Sequence, residues 1–386
     1  VDFYRLLPPA GYTKGLSAAL RTDVGEGDIP PEARGRDFFP YKPYHLGAGP
    51  PRPSLARVTN MAQRVMASRK YDGAILTQGS PAVEETAYWL NLLIDTEAQI
   101  CCNAAQRPHG QMSNDGPQNI VDSLAFISSR LWADAAGKSR TGVIVLQEQR
   151  FFAAREVAKV DARPGGYAAT GGHGGILGGI NHMGRLSLLY VPAYKHTHLP
   201  EVSTRHLPET AQAVRAGRAG PERFAIRIRD RNGELLPEAI PSVSIVKDGN
   251  YQSEEYGDDP ALEAELEFLV RHKLSLGRLA GFVTEGHTPY GTLPSATRQK
   301  AMERAVFSGL PVVRVGRGNT EGFADGSPIF LSGSNLTATK ARLLLMACLM
   351  RFGSLPPASD PAKPSAAETR AIEAAVANYQ RIFDSH

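Results

Sequence analysis

The stretch from Tyr71 to Leu93, YDGAILTQGSPAVEETAYWLNLL, leaves the chain the fewest ways to fold. A turn at Asp72-Gly73 opens it. Ala74-Ile75-Leu76-Thr77 follows as a short apolar run between turn signals, the pattern of a strand buried on both faces. Gln78-Gly79 breaks the strand, and Ser80-Pro81 restarts the chain as a helix. Serine is a favoured N-cap, and proline is preorganised for the first helical position. Glu84 and Glu85 add negative charge to the first turn, where the helix dipole favours it. A strand running directly into a helix N-terminus sets Ser80 at the carboxyl end of a parallel sheet, the edge where open α/β sheets hold ligands. Taken alone, Ser80 reads as a cap and nothing more.

The rest of the chain repeats this alternation. Residues 54–68 are helical by period, with Leu55, Val58, Ala62, Val65 and Met66 on one face. Strands are predicted at 99–102 and 142–146, with a helix opening at Asp115-Gly116-Pro117 and running to Leu131 between them. Strands alternating with helices mean a parallel sheet with crossover helices. A second α/β unit has strands at 242–246, 279–284 and 311–315. Its helices are predicted at 260–272, 295–308 and 340–350, and a last one opens with a capping box at Ser365 and Glu368. Ile372, Val376, Tyr379 and Phe383 give that last helix one apolar stripe for packing.

The predicted domains are therefore 1–195, an N-terminal α/β domain carrying the site, and 241–386, a C-terminal α/β domain. Residues 196–240 read as a linker with a hairpin turning at Asn232-Gly233. The first 53 residues are loop-dominated, with Pro8-Pro9, Pro30-Pro31 and Pro50-Pro51, and loops of that length are functional or disordered. The glycine-rich run 165–179 lacks the ending of a phosphate loop and reads as close-packed turns. His196 and His198 lack a third ligand, so a surface loop is expected there rather than a metal site.

A chain of 386 residues can build two cores, and its hydrophobic content of 42% is ordinary for a globular protein. The formal charge of +4, from 43 basic and 39 acidic residues, is too small to imply a nucleic-acid partner. Three cysteines, two of them adjacent at 101 and 102, form no disulfide framework and no zinc spacing. With neither a signal peptide nor an apolar run of spanning length, the expected compartment is the cytoplasm, without a membrane partner. No cofactor is expected.

Four segments resemble the bacterial-type L-asparaginases, the asparaginase-like amidohydrolase family. They are TQGSPAVEETAYWLNLLI from Thr77, QRPHGQMSNDGPQNIVDSL from Gln106, REVAKVDA from Arg155 and SGSNLTATKARLLLMACL from Ser332. The resemblance implies an α/β, two-domain asparaginase-like fold, with a larger N-terminal domain of mostly parallel sheet and a smaller C-terminal α/β domain. It implies hydrolysis of a small-molecule amide at a non-peptide C–N bond, and assembly into a homodimer or homotetramer. The family's second catalytic threonine and its lysine map onto Ser80 and Lys159. Ala10-Gly11-Tyr12-Thr13-Lys14-Gly15 resembles the mobile active-site loop and offers Tyr12 as a third catalytic group. Substrate-binding positions map to Ala48, Gly49, Gln78, Gly79 and Pro81. His287 and Tyr290, in a loop at the carboxyl end of a C-terminal-domain strand, are further candidates.

Three departures shape the functional expectation. No strand carrying the family's first, attacking threonine is visible after Val1, and it is expected upstream. Pro81 stands where the family has the aspartate that holds the substrate's α-ammonium. Ala48-Gly49 stand where its pair of α-amino-acid-gripping side chains is expected. A serine hydroxyl can replace threonine, while a lysine acts as base only where its charged form is disfavoured. Three readings stay open: an amide hydrolase acting on something other than free asparagine, a non-catalytic binding protein of the same fold, and a Ser/Lys-dependent imide or lactam hydrolase.

Overall fold

The computed structural model describes residues 51–107, 112–170, 174–247, 263–287, 291–293, 295–318 and 327–386. The chain divides into two compact units. The first holds residues 1–169 and 174–193, the second residues 170–173 and 194–386.

The first unit is built on a six-stranded sheet. Helix α1 (Pro51–Ala67) leads to strand β1 (Gly73–Thr77), helix α2 (Val83–Leu93), strand β2 (Gln99–Asn103), helix α3 (Gly116–Ser129) and strand β3 (Ile144–Gln147). β1, β2 and β3 are parallel neighbours, with Gly73 opposite Gln99 and Thr77 opposite Asn103. The side-chain alternation of a strand explains why helices cover both faces. Ile100, Cys102, Val143 and Val145 pack with α1 and α2 residues such as Val58, Ala87 and Leu90. Cys101, Ile144 and Leu146 pack on the opposite face with Phe126 and Ile127 of α3. Gly73 keeps α3 close to β1, since a Cβ there would meet Gln99 O at 2.8 Å and Ile127 Cγ2 at 2.9 Å.

The far half of the sheet turns antiparallel. β3 pairs with β4 (Arg150–Ala153), β4 with β7 (Ile176–Ile180) and β7 with β8 (Leu186–Leu188), so the sheet is mixed and only its site-bearing half is parallel. A separate antiparallel pair, β5 (Val157–Lys159) and β6 (Tyr167–Ala169), sets Lys159 opposite Tyr167. The glycine-rich run, expected as turns, thus contributes strands. Glycine suits it there because β8 approaches too closely for a side chain, with Ser187 O 2.0 Å from where a Cβ of Gly178 would stand. β1 departs from expectation too, being half-buried rather than covered on both faces.

The second unit holds an all-parallel sheet in the order β11 (Ser242–Lys247), β12 (Ala280–Gly286), β13 (Val312–Gly316), β14 (Leu331–Ser332). Helices α4 (Ala264–Leu276) and α5 (Ala296–Phe307) connect the first three strands. α6 (Ala338–Phe352) packs on β11 and β12, and α7 (Ala366–Phe383) on β14. The capping box at Ser365 and Glu368 is formed, and Ile372, Val376, Tyr379 and Phe383 are all buried. Residues 196–240 lie inside this unit. Their main hairpin joins β9 (Thr210–Ala216) to β10 (Pro221–Arg227), and Asn232-Gly233 closes a tighter turn with a single bridge, Arg229 to Leu235. Among the described residues no helix is long and apolar enough to cross a membrane.

His196 is buried, not on a surface loop, at 5% exposure. Burial first, then the neighbouring His198, lowers its pKa from 6.5 to about 4. Below 6.5 the unfolded chain binds a proton that the folded chain refuses until about 4, so stability is present above that window and lost through it as pH falls. The slope is at most about 1.4 kcal/mol per pH unit for this one residue. His386, buried and also lowered to about 4, acts in the same direction. Urea midpoints followed down through this window are expected to fall less steeply in His196→Asn than in the unmodified protein. Parallel curves would mean that His196 carries no proton linkage.

Candidate active site

Ser80 lies three residues past the end of β1 and is 1% exposed. The helix starts later than the Ser-Pro signal implies. α2 opens at Val83 behind Ala82, and residues 80–82 form a turn in which Gly79 O accepts from both Ala82 N and Val83 N. Ser80 therefore does not cap the helix. Its Oγ accepts a hydrogen bond of 2.6 Å from Lys159 Nζ, a residue 79 positions away.

Lys159 is brought there by the β5–β6 hairpin, which grips the Ser80 turn at two further points. The hydroxyl of buried Tyr167, opposite Lys159 in the hairpin, donates to Ser80 O at 2.8 Å. The Lys159 backbone N–H donates to Glu84 Oε2 in the first turn of α2. Backbone and side chain of Lys159 are thus tied to the same turn, which restricts the rotamers open to a long flexible amine.

The neighbouring strand ends are organised by Asp115. An aspartate at a helix start ordinarily accepts from that helix's own N–H groups. Here the carboxylate turns back to the loop after β2, accepting from Gln106 N at 3.0 Å and Arg107 N at 2.8 Å. It also accepts from Asn119 Nδ2 at 3.2 Å and from Gln147 Nε2 at the end of β3. Asn103, fully buried at the end of β2, donates to Leu146 O and Ser123 Oγ, both at 2.9 Å. These bonds hold the carboxyl ends of β2 and β3 and the start of α3 as one polar edge.

Of the sequence-derived site residues, Ser80 and Lys159 are in contact. Gln78 and Gly79 flank them, half-buried, and Pro81 is exposed. His287 belongs to the second unit, at the carboxyl end of β12, where its C=O accepts from Gly291 N at 2.8 Å. Tyr12, Ala48, Gly49 and Tyr290 lie outside the described residues. Tyr167, Glu84, Gln106 and the inward turn of Asp115 were not legible as site residues in the sequence. Glu84, Gln106 and Asp115 lie in the family-like segments, which give them no role there, and Asp115-Gly116-Pro117 reads as a helix start alone. The cysteines are all free and buried, and burial pushes the Cys101 and Cys348 thiols up, which keeps them protonated and unreactive. Among the described residues no group of acidic, histidine or cysteine side chains could hold a metal ion.

Parallel strands with helices on both faces, and a hydroxyl–lysine pair at their carboxyl edge, define the class of α/β protein to which the chain is comparable. Residues 52–166 match the family model of the asparaginase N-terminal domain. The glutaminase-asparaginase of Acinetobacter glutaminasificans is 37% identical over 106 residues, 28% of this chain and 29% of that protein. L-asparaginase 2 of Escherichia coli (strain K12) is 31% identical over 128 residues, 33% of this chain and 34% of that protein. L-asparaginase 2 of Bacillus subtilis (strain 168) is 24% identical over 303 residues, 77% of this chain and 66% of that protein. The fold matches the probable cytoplasmic L-asparaginase of Campylobacter jejuni with a TM-score of 0.59 at 21% identity, covering 86% of each chain. The chain is similar to the asparaginase-like family over these segments, and the match to the asparaginase N-terminal domain lies within its first unit. The matched segments span less than two thirds of the length of these three relatives.

Asp115→Ala removes an acceptor shared by two backbone and two side-chain donors. The expected cost is about 3 kcal/mol or more, since bonds to a charged acceptor are the strong ones and the abandoned donors stay partly buried. Urea unfolding measures it. A loss below about 1 kcal/mol would mean that other contacts hold the loop after β2.

Proposed function

We propose that this chain is an amide hydrolase in which Ser80 and Lys159 act as one proton-transferring pair, on an amide other than free asparagine. The observation that carries the reading is the 2.6 Å contact between Lys159 Nζ and Ser80 Oγ at the carboxyl edge of the sheet. With the amine neutral, the contact runs the other way and Nζ accepts the hydroxyl proton. In this reading Ser80 itself takes the attacking role that the family resemblance gives to a separate threonine. The oxygen so activated forms a C–O bond to the amide carbonyl, the C–N bond breaks, and the leaving amine takes the proton from Lys159. Water then attacks the acyl group by the reverse proton path. Tyr167 and Glu84 position the pair and do not touch the reacting atoms. The names of the relatives support amide chemistry, and the pair's geometry is suited to it.

If the two side chains act as a unit, Ser80→Ala and Lys159→Met each abolish turnover, and the double variant is no worse than either single one. Ammonia release under saturating amide measures this. Wild-type rates in both single variants would reduce the pair to a structural contact, and ligand binding without turnover in the unmodified protein would make the chain a binding protein.

Substrate choice follows from Pro81. An α-ammonium moved out of water needs a charged or hydrogen-bonding partner, and leaving it without one costs several kcal/mol. Proline supplies neither a charge nor a backbone N–H. Amides without an α-amino group are expected to be hydrolysed in preference to asparagine and glutamine. The preference should approach about a thousandfold in kcat/KM, equivalent to about 4 kcal/mol of transition-state binding. A panel of asparagine, glutamine and simple and cyclic amides at equal concentration decides it. Asparagine as the best substrate would overturn the choice of substrate but not the hydrolase reading.

A further inference from the structure

Three glutamines stand at the carboxyl edge of adjacent parallel strands. Gln78 follows β1 directly, Gln106 lies three residues past β2, and Gln147 ends β3. Each buries amide atoms that have no hydrogen-bond partner among the described residues: Oε1 of Gln78, Oε1 of Gln147, and both Oε1 and Nε2 of Gln106. Buried polar groups left unpaired weigh against folding, and native proteins keep few of them. Three on one ligand edge, including one whole amide, call for a reason.

Gln106 is the most telling. Its backbone N–H is fixed by Asp115, so the side chain is presented from a held loop. Thr77 and Asn103 are register partners, so Ser80 and Gln106 each stand three residues beyond paired positions on neighbouring strands. Such strands run about 4.8 Å apart. A glutamine amide presents one N–H donor and one C=O acceptor side by side, and with both atoms unpaired, exchanging O and N leaves the pattern intact. A cis amide, as in a primary carboxamide, lactam or imide, carries the complementary pair and can meet it with two parallel hydrogen bonds. A carboxylate has no donor for the oxygen, and an ammonium has no acceptor for the N–H.

We infer that Gln106 is a specificity residue that pairs with a second, non-reacting cis-amide group of the substrate while Ser80 faces the reacting one. The inference rests on the amide-hydrolase reading for its substrate class. It assigns the enzyme to uncharged compounds bearing two amide groups, with Gln78 Oε1 and Gln147 Oε1 as further acceptors for N–H donors along the same edge.

The test compares dicarboxamides from malonamide to adipamide with butyramide, which has a single carboxamide. For the best-fitting dicarboxamide, kcat/KM is expected to exceed that of butyramide by about tenfold or more, beyond the allowance for its two equivalent groups. Gln106→Leu should erase that ratio while the melting temperature holds or rises, because an orphaned buried amide is replaced by an apolar group. The same compounds are also titrated calorimetrically into Ser80→Ala and into Ser80→Ala with Gln106→Leu. Dicarboxamide binding that depends on Gln106 without turnover in the unmodified protein keeps the subsite and ends the hydrolase reading. A ratio unchanged in Gln106→Leu, or no discrimination in either assay across the series, overturns the inference and leaves Gln106 a hydrated structural amide.

Discussion

Parallel strands end at a common edge, and in this molecule the register of β1 with β2 decides everything that meets there. Thr77 opposite Asn103 puts the turn carrying Ser80 beside the loop carrying Gln106. Gln78 N donating to Asn103 O at 3.0 Å extends the pairing one step beyond the strand. The register is secured from both faces, because Ile100 and Cys102 are buried toward α1 and α2 while Cys101 is buried toward α3. A slip of one residue would exchange the two sets and expose Ser80 to a different neighbour.

On that edge a lysine has to be delivered from elsewhere. No crossover helix does it; a two-stranded hairpin outside the main sheet does. The bonds from Lys159 N to Glu84 and from Tyr167 OH to Ser80 O are independent of the Nζ–Oγ contact they support. An isolated pair of three-residue strands would be marginal in water. Here Val157 and Tyr167 of the hairpin are buried among Phe152, Val83 and Ala87, so the apolar core holds the polar site in register.

The edge is polar, and its charged groups are largely engaged within the fold. Asp115 is committed to four donors of its own fold, and Pro81 carries no charge. Beside the Ser80–Lys159 pair, the carboxyl edge of β1, β2 and β3 carries the amides of Gln78, Gln106 and Gln147. The proposed preference for a neutral ligand draws on the hydrogen-bond complementarity of those amides.

The sequence by itself determined the class of fold, because short apolar strands separated by amphipathic helices can bury their faces in few ways. It also marked Ser80 and Lys159 through the segments shared with the asparaginase-like family. Local signals carried the capping box at Ser365 and the stripe of α7, since both depend on residues within a few turns of one helix. Tertiary structure decided the rest. Ser80 belongs to a turn rather than a cap because its hydroxyl finds a lysine 79 residues away. Asp115 turns from its own helix toward the loop after β2 for the same kind of reason, and His196 is buried by elements that no local pattern announces. Propensity weighs only neighbours in sequence, whereas these side chains settle on partners that folding alone brings within reach.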